Sequence, residues 1–124
     1  MNASLPEPAL QAILEAIDGI MAATADKTLE DFSGDWLLRH GVQRGIEIIS
    51  EATRRLPQHM LESQPDVPWA QIAGIGNVLR HEYHRLSDRI VWNVVATHLV
   101  VLRDAVEMMK ATLSDQSSLS DEQS

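Results

Sequence analysis

Residues 73–86 read AGIGNVLRHEYHRL, and the way this segment folds decides what kind of domain the chain builds. Ile75, Val78 and Leu79 thread through two glycines, Asn77, two arginines, two histidines and Tyr83. On a helix turning about 100° per residue, Gly76, Leu79 and Tyr83 fall within about 40° of Ile72, with Ile75 and Trp69 within about 60°. Asn77, Arg80, His81 and His84 collect on one adjoining flank, about 80–180° round. The spacing therefore predicts a helix over 69–84 with a packing stripe and a polar flank. Ala73 and Gly74 lie beside that flank. Each interior glycine costs a helix about 1 kcal/mol relative to Ala, and close approach of another backbone, in this chain or a second subunit, is the usual compensation.

Working outward, the same periodicity recurs. Leu10, Ile13, Leu14, Ile17, Ile20 and Met21 follow Pro6 at three- and four-residue steps and predict a long amphipathic helix. Thr28 with Asp31 forms an N-cap signal for a short helix over LEDF. Leu38, Val42, Ile46, Ile49, Ala52 and Leu56 make a second long stripe ending at Pro57, and QHMLESQPDVPW accommodates one helical turn between prolines. Asp88 is a candidate N-cap for a last long helix with stripe Val91, Val94, Val95, His98, Leu102, Ala105 and Met109. His98 on that stripe reads as a core histidine. No strand-like alternation interrupts these patterns. The expectation is an all-α antiparallel bundle of four main helices plus a short one, with a domain over residues 1–112. The polar, acidic segment 113–124 is expected to be a disordered tail.

The 124 residues suffice for one core, with 44% hydrophobic content, no cysteine and a net charge of −8. Without thiols there is neither a disulfide framework nor a thiolate metal site. No apolar run approaches the roughly 18 residues of a membrane span, and no basic-then-apolar leader opens the chain. The chain reads as soluble and cytoplasmic, with no membrane partner. Residues 1–36 carry seven acids against one Lys, and residues 112–124 carry three acids and no base. The middle has nine bases and eight acids, so the acidity lies in the ends. Any contact with RNA is expected to be local rather than driven by a broad basic field.

The polar flank offers definite chemistry. Imidazoles titrate near neutral pH and pass a proton either way. A guanidinium presents fixed donors to phosphate oxygens, and an Asn orients either partner. Two copies of such a flank in one cleft suit metal-free cleavage of an RNA phosphodiester by its own 2′-hydroxyl; the plainer alternative is a solvated helix face. HEYHR falls one residue short of the zinc motif H-E-x-x-H. Glu47 and Glu51 with Arg44, Arg54 and Arg55 suit surface pairing along one helix, and Glu47 reaches the flank if the two helices pack together.

The blocks GIEIISEATRRLP and PDVPWAQIAGIGNVLRHEYHRLSDRIVW resemble the HepT-like branch of the HEPN superfamily, over roughly residues 10–110. That resemblance implies an all-α bundle that forms a homodimer and acts, without cofactor or metal, as an endoribonuclease. Many such proteins are toxins of type VII toxin–antitoxin pairs. Their antitoxin partner is a minimal nucleotidyltransferase that attaches AMP to a tyrosine of the toxin. By resemblance, His81 is the motif histidine and general acid/base, Asn77 the orienting residue and Tyr83 the AMP acceptor; His84 and Glu47 are supporting residues by their placement along the flank. The family's R-x4-H arginine is replaced here by Gly76. Arg80, one turn on and about 40° round, is the substitute phosphate clamp. The alternative is a binding subunit that lost nuclease activity with the arginine and serves as partner or substrate of a nucleotidyltransferase.

Overall fold

The computed structural model describes residues 6–82 and 87–123, without the side chains of Arg80, Glu82 and residues 117–123. Tyr83, His84, Arg85 and Leu86 therefore lie outside the described residues, as do positions 1–5 and 124. Every regular element among the described residues is helical.

Helix α1 (Pro6–Thr24) opens on the proline, whose fixed φ suits a first turn. It buries Leu10, Ile13, Leu14, Ile17 and Ile20 along one face. Thr24 closes it by donating its hydroxyl to the Ile20 carbonyl at 2.8 Å, and Asp26 then adopts a left-handed φ of 61°. The predicted cap at Thr28 is a reciprocal capping box: the Asp31 amide donates to Thr28 Oγ1 at 3.1 Å, and the Thr28 amide to Asp31 Oδ2 at 3.0 Å. It starts α2 (Leu29–Ser33), which buries Phe32 against Trp92. Asp35 caps α3 (Trp36–Thr53) by accepting from the Leu38 amide.

Pro57 then leads into α4 (Gln58–Glu62), the turn expected between prolines. Trp69 Nε1 donates to the carbonyls of Leu61 and Gln64, both at 3.0 Å, pinning the start of α5 (Trp69–Glu82) beneath α4. The next helix is capped by Ser87, whose hydroxyl accepts from the Ile90 amide, and Asp88 is the first helical residue of α6 (Asp88–Asn93) rather than the cap. A π-helical turn (Val94–His98) joins it to α7 (Leu99–Gln123).

That turn corrects the last stripe. Burial steps by four from Val91 to Val95 to Leu99 before resuming at Leu102, Ala105, Val106 and Met109. The wider π turn takes up an extra residue, so His98 rotates off the core face and is exposed. Helix α7 runs to Gln123, into the polar segment that follows Thr112. Leu113 still packs on the core, whereas Ser114, Asp115 and Gln116 are exposed. Adding residues to an existing helix needs no new nucleus, so the helical backbone carries on past Leu113.

Two pairs of contacts set the bundle's directions. Arg103 Nε donates to Asp18 Oδ1 at 2.8 Å and Lys110 Nζ to Gln11 Oε1 at 3.0 Å, so α7 runs antiparallel to α1. Ala73 meets Ser50, and Gly76 meets Ser50 and Glu47, so α5 runs antiparallel to α3. At this second crossing the predicted compensation for a glycine is found inside the chain. A Cβ on Gly76 would overlap Ser50 Cβ and Oγ, and Ser50 is only 1% exposed. The Ser50 hydroxyl donates to the Ala73 carbonyl at 2.7 Å, and Arg54 Nη2 donates to the same oxygen at 2.6 Å. Gly74 has open space around it.

The two α5 glycines should therefore respond oppositely to alanine. Gly74→Ala gains up to about 1 kcal/mol of helix propensity. Gly76→Ala gains the same but overpacks a closed crossing, at a cost of about 1–3 kcal/mol, and should be destabilising. In urea unfolding, the double variant Gly76→Ala/Ser50→Gly should be less destabilised than the sum of the two single variants, because the serine is what the new methyl strikes. Equal stabilisation by Gly74→Ala and Gly76→Ala would contradict this packing.

Two exposed carboxylates give the fold an acid limb. The Arg103 hydrogen bond holds Asp18 below its ordinary value of 3.8. The Thr28 amide, then its hydroxyl, does the same for Asp31. Groups depressed in the folded state stabilise it above their unfolded value and lose that contribution as pH falls through the folded one. Stability should decline as pH falls through the ordinary value of 3.8 and below it, and Asp18→Asn should flatten that decline in urea midpoints.

Candidate functional site

On α5, the residues facing α3 and the core are separated from the polar flank by Gly76. Taking Gly76 as the direction of α3, Ile72, Ile75 and Leu79 lie about 40–100° to one side, against the core. Ala73, Asn77 and His81 lie about 60–140° to the other. Asn77 and His81 are both exposed. Arg80 is part of the α5 backbone, but its side chain is outside the described atoms, as are Tyr83 and His84 altogether.

Helix α3 contributes a matching flank. Measured from Ser50, Val42, Ile46, Ile49 and Thr53 lie on the core side, whereas Trp36, His40, Arg44, Glu47 and Arg54 lie about 40–120° the other way. The Arg54 bond to the Ala73 carbonyl shows that this side of α3 and the polar side of α5 form one surface. Because the helices are antiparallel, each step beyond Gly76 corresponds to a step back from Ser50 and Glu47. Asn77 lies beside Glu47. His81, about 7.5 Å beyond Gly76 along the axis, is level with Gln43 and Arg44.

Of the sequence-predicted residues, Asn77, His81 and Glu47 are thus brought to one seam. Glu47 is paired at 3.6 Å with Arg44, whose side chain is 62% exposed. Arg44 is the residue the sequence reading passed over. Its spacing to Glu47 had marked it as a surface pair, and only the register of α3 against α5 places it level with His81. Gly76 is not a vacant arginine position, since the crossing has no room even for a methyl group.

The seam can therefore present an imidazole, a carboxamide and a guanidinium to one extended anion, with the Glu47 carboxylate paired to the guanidinium. Among the described residues no three His, Asp or Glu side chains converge closely enough to hold a metal ion. An apolar cleft of about 420 Å³ lies on the opposite flank between α3, α5 and the π turn. Ile46, Ile72, Ile75 and Leu102 line it, with His98 and Asp66 at its edge. It holds none of the predicted site residues. No described helix is long and apolar enough to cross a membrane.

Comparison with known proteins bears on what this seam belongs to. A provisionally named RNase of Caldanaerobacter subterraneus subsp. tengcongensis is 33% identical over 102 residues, 82% of this chain and 91% of that protein. A provisionally named RNase of Methanocaldococcus jannaschii is 30% identical over 100 residues, 81% of this chain and 92% of its own length. A protein of Thermococcus cleftensis named probable ribonuclease HepT is 31% identical over 101 residues, 82% and 92% of the two chains. No solved structure matches the chain significantly. The family described as Ribonuclease HepT-like matches residues 13–109, which span α1 from its second turn to the middle of α7 and include the whole α3–α5 seam. The all-α bundle and the extent of these matches agree, and the chain belongs to the ribonuclease HepT-like family of the HEPN superfamily.

Proposed function

We propose that this protein is an endoribonuclease that cleaves RNA at the α3–α5 seam, and that it acts as the toxin of a type VII toxin–antitoxin pair. The observation that carries the nuclease assignment is the exposed Asn77 and His81, one turn apart on the outer side of α5, in a chain of this family. In the reaction, the 2′-oxygen of a ribose attacks the adjacent phosphorus and the bond to the 5′-oxygen breaks. A base removes the 2′-proton, and an acid supplies one to the departing oxygen. The products are a 2′,3′-cyclic phosphate and a 5′-hydroxyl.

A single His81 can serve one of those proton transfers at a time. A homodimer that brings two such seams together supplies an imidazole for each. Asn77 orients the phosphate or the imidazole, and Glu47 holds the neighbouring guanidinium. Since position 76 is closed, the phosphate's positive partner comes from Arg80 on α5 or from Arg44 across the seam.

The crossing at Gly76 favours a second reading: a dimeric binding subunit without nuclease activity, serving as partner or substrate of a nucleotidyltransferase. Its glycine is fitted to Ser50 as a packing contact, as expected of a position no longer selected to hold a catalytic arginine. Under either reading the partner is a minimal nucleotidyltransferase. It joins the Tyr83 hydroxyl oxygen to the α-phosphorus of a nucleoside triphosphate, releasing pyrophosphate and the phenolic proton.

Antitoxin-free protein, dimeric by light scattering, should cleave single-stranded RNA without added metal, and His81→Ala should lower the rate by on the order of 100-fold or more. Arg80→Ala and Arg44→Ala, assayed side by side, identify the phosphate clamp by which one loses activity. Cleavage as slow with the parent as with His81→Ala would remove the nuclease and leave the binding subunit. Separately, co-expression with an active neighbouring nucleotidyltransferase should add the mass of AMP to the intact chain, and Tyr83→Phe should abolish that addition. An unmodified parent chain would refute the tyrosine assignment.

A further inference from the structure

The seam continues beyond His81 along α3, toward the start of that helix. There Trp36 and Leu37 are the most exposed large apolar residues among those described, at 64% and 74%. Trp36 is not loose. Its indole stacks on the His40 ring with centroids 4.1 Å apart and planes 30° from parallel. His40 is tied in turn by its Nδ1 to the Trp36 carbonyl at 2.7 Å. The stack therefore presents the outer face of an indole to solvent at little further conformational cost.

Trp36 and His40 lie on the same side of α3 as Arg44 and Glu47, about 40–80° round from Ser50. The stretch from Trp36 to Ile46 contains Arg39, His40 and Arg44 and no carboxylate, in a chain whose net charge is −8. Exposed aromatic area and the largely exposed Arg44 guanidinium thus occur together, on the surface that also carries His81. Trp36 is about 12 Å from Arg44 along the helix axis.

Resting on the ribonuclease reading, we propose that the face of α3 from Trp36 to Arg44 is a binding site for unpaired RNA. A base of the bound strand stacks on the Trp36–His40 pair, and the sugar-phosphate backbone passes Arg44 on its way to His81. Stacking suits this occupant because every nucleobase offers a flat π face and the arginines meet the phosphates. A paired base is already stacked within its duplex and cannot lie flat on the indole, so the site selects single strands, loops or unstacked ends.

The test is binding of a fluorescein-labelled single-stranded RNA oligonucleotide to the full chain, on a His81→Ala background so that the probe stays intact. Adding Trp36→Ala should weaken binding roughly 5-fold to 100-fold, and Trp36→Phe should recover most of it. A blunt RNA duplex of the same length should bind equally to both backgrounds. Trp36 is largely exposed, so the thermal midpoint should not change, and circular dichroism checks this.

Equal single-strand binding with and without the indole overturns the site. So does an equal loss for single strand and duplex, or a Trp36→Ala protein that turns from dimer to monomer in light scattering, which would assign the patch to contact between copies. Trp36-dependent binding by a parent chain that cleaves nothing keeps the site and rejects the nuclease. Cleavage that depends on His81 but binding indifferent to Trp36 does the reverse.

Discussion

The contact between Gly76 and Ser50 sets how α5 lies on α3, and the rest of the polar surface follows from it. Helices cross most closely where side chains are smallest, and here one of the two has none. The Ala73 carbonyl adds direction to that closeness, accepting from both the Ser50 hydroxyl and Arg54 Nη2. A buried hydroxyl left without a partner would be destabilising by roughly 1–3 kcal/mol, so the bond discourages rotation of α5 about its own axis. With that rotation fixed, Ile72, Ile75 and Leu79 turn to the core, and Asn77 and His81 turn to solvent.

The same crossing changes how the missing arginine is understood. Read along the sequence, Gly76 is a gap in a catalytic motif. In the folded chain it is a packing position with no space for a side chain, so a guanidinium for the proposed reaction must enter from elsewhere on the seam. The register of the antiparallel pair brings Arg44 level with His81, while Arg80 follows on the same helix as the imidazole.

Much of the architecture was legible because burial imposes periods that survive in the sequence. The stripes of α1 and α3 are observed as predicted except at Met21, which is exposed, and Thr28 with Asp31 makes the capping box its spacing suggested. The departures share a cause, namely interactions that local pattern does not encode. Ser87 and Asp88 are both good capping residues, and it is the Ser87 hydroxyl that accepts from the Ile90 amide. The π turn shifts the register of the last helix, so His98 leaves the stripe on which a 3.6-residue period placed it.

By itself the sequence determined the helical class, most helix limits, the motif block that ties the chain to its family, and the polar character of one flank of α5. These are properties of neighbours within one turn or two, where side-chain spacing and backbone geometry act directly. Only the tertiary structure decided that Gly76 is a packing contact, that Glu47 and Arg44 join Asn77 and His81, and that the Trp36–His40 stack stands on the same surface. Those relations depend on how α3 and α5 slide and rotate against each other, and that is set by the fit of a serine against a glycine 26 positions apart in the chain.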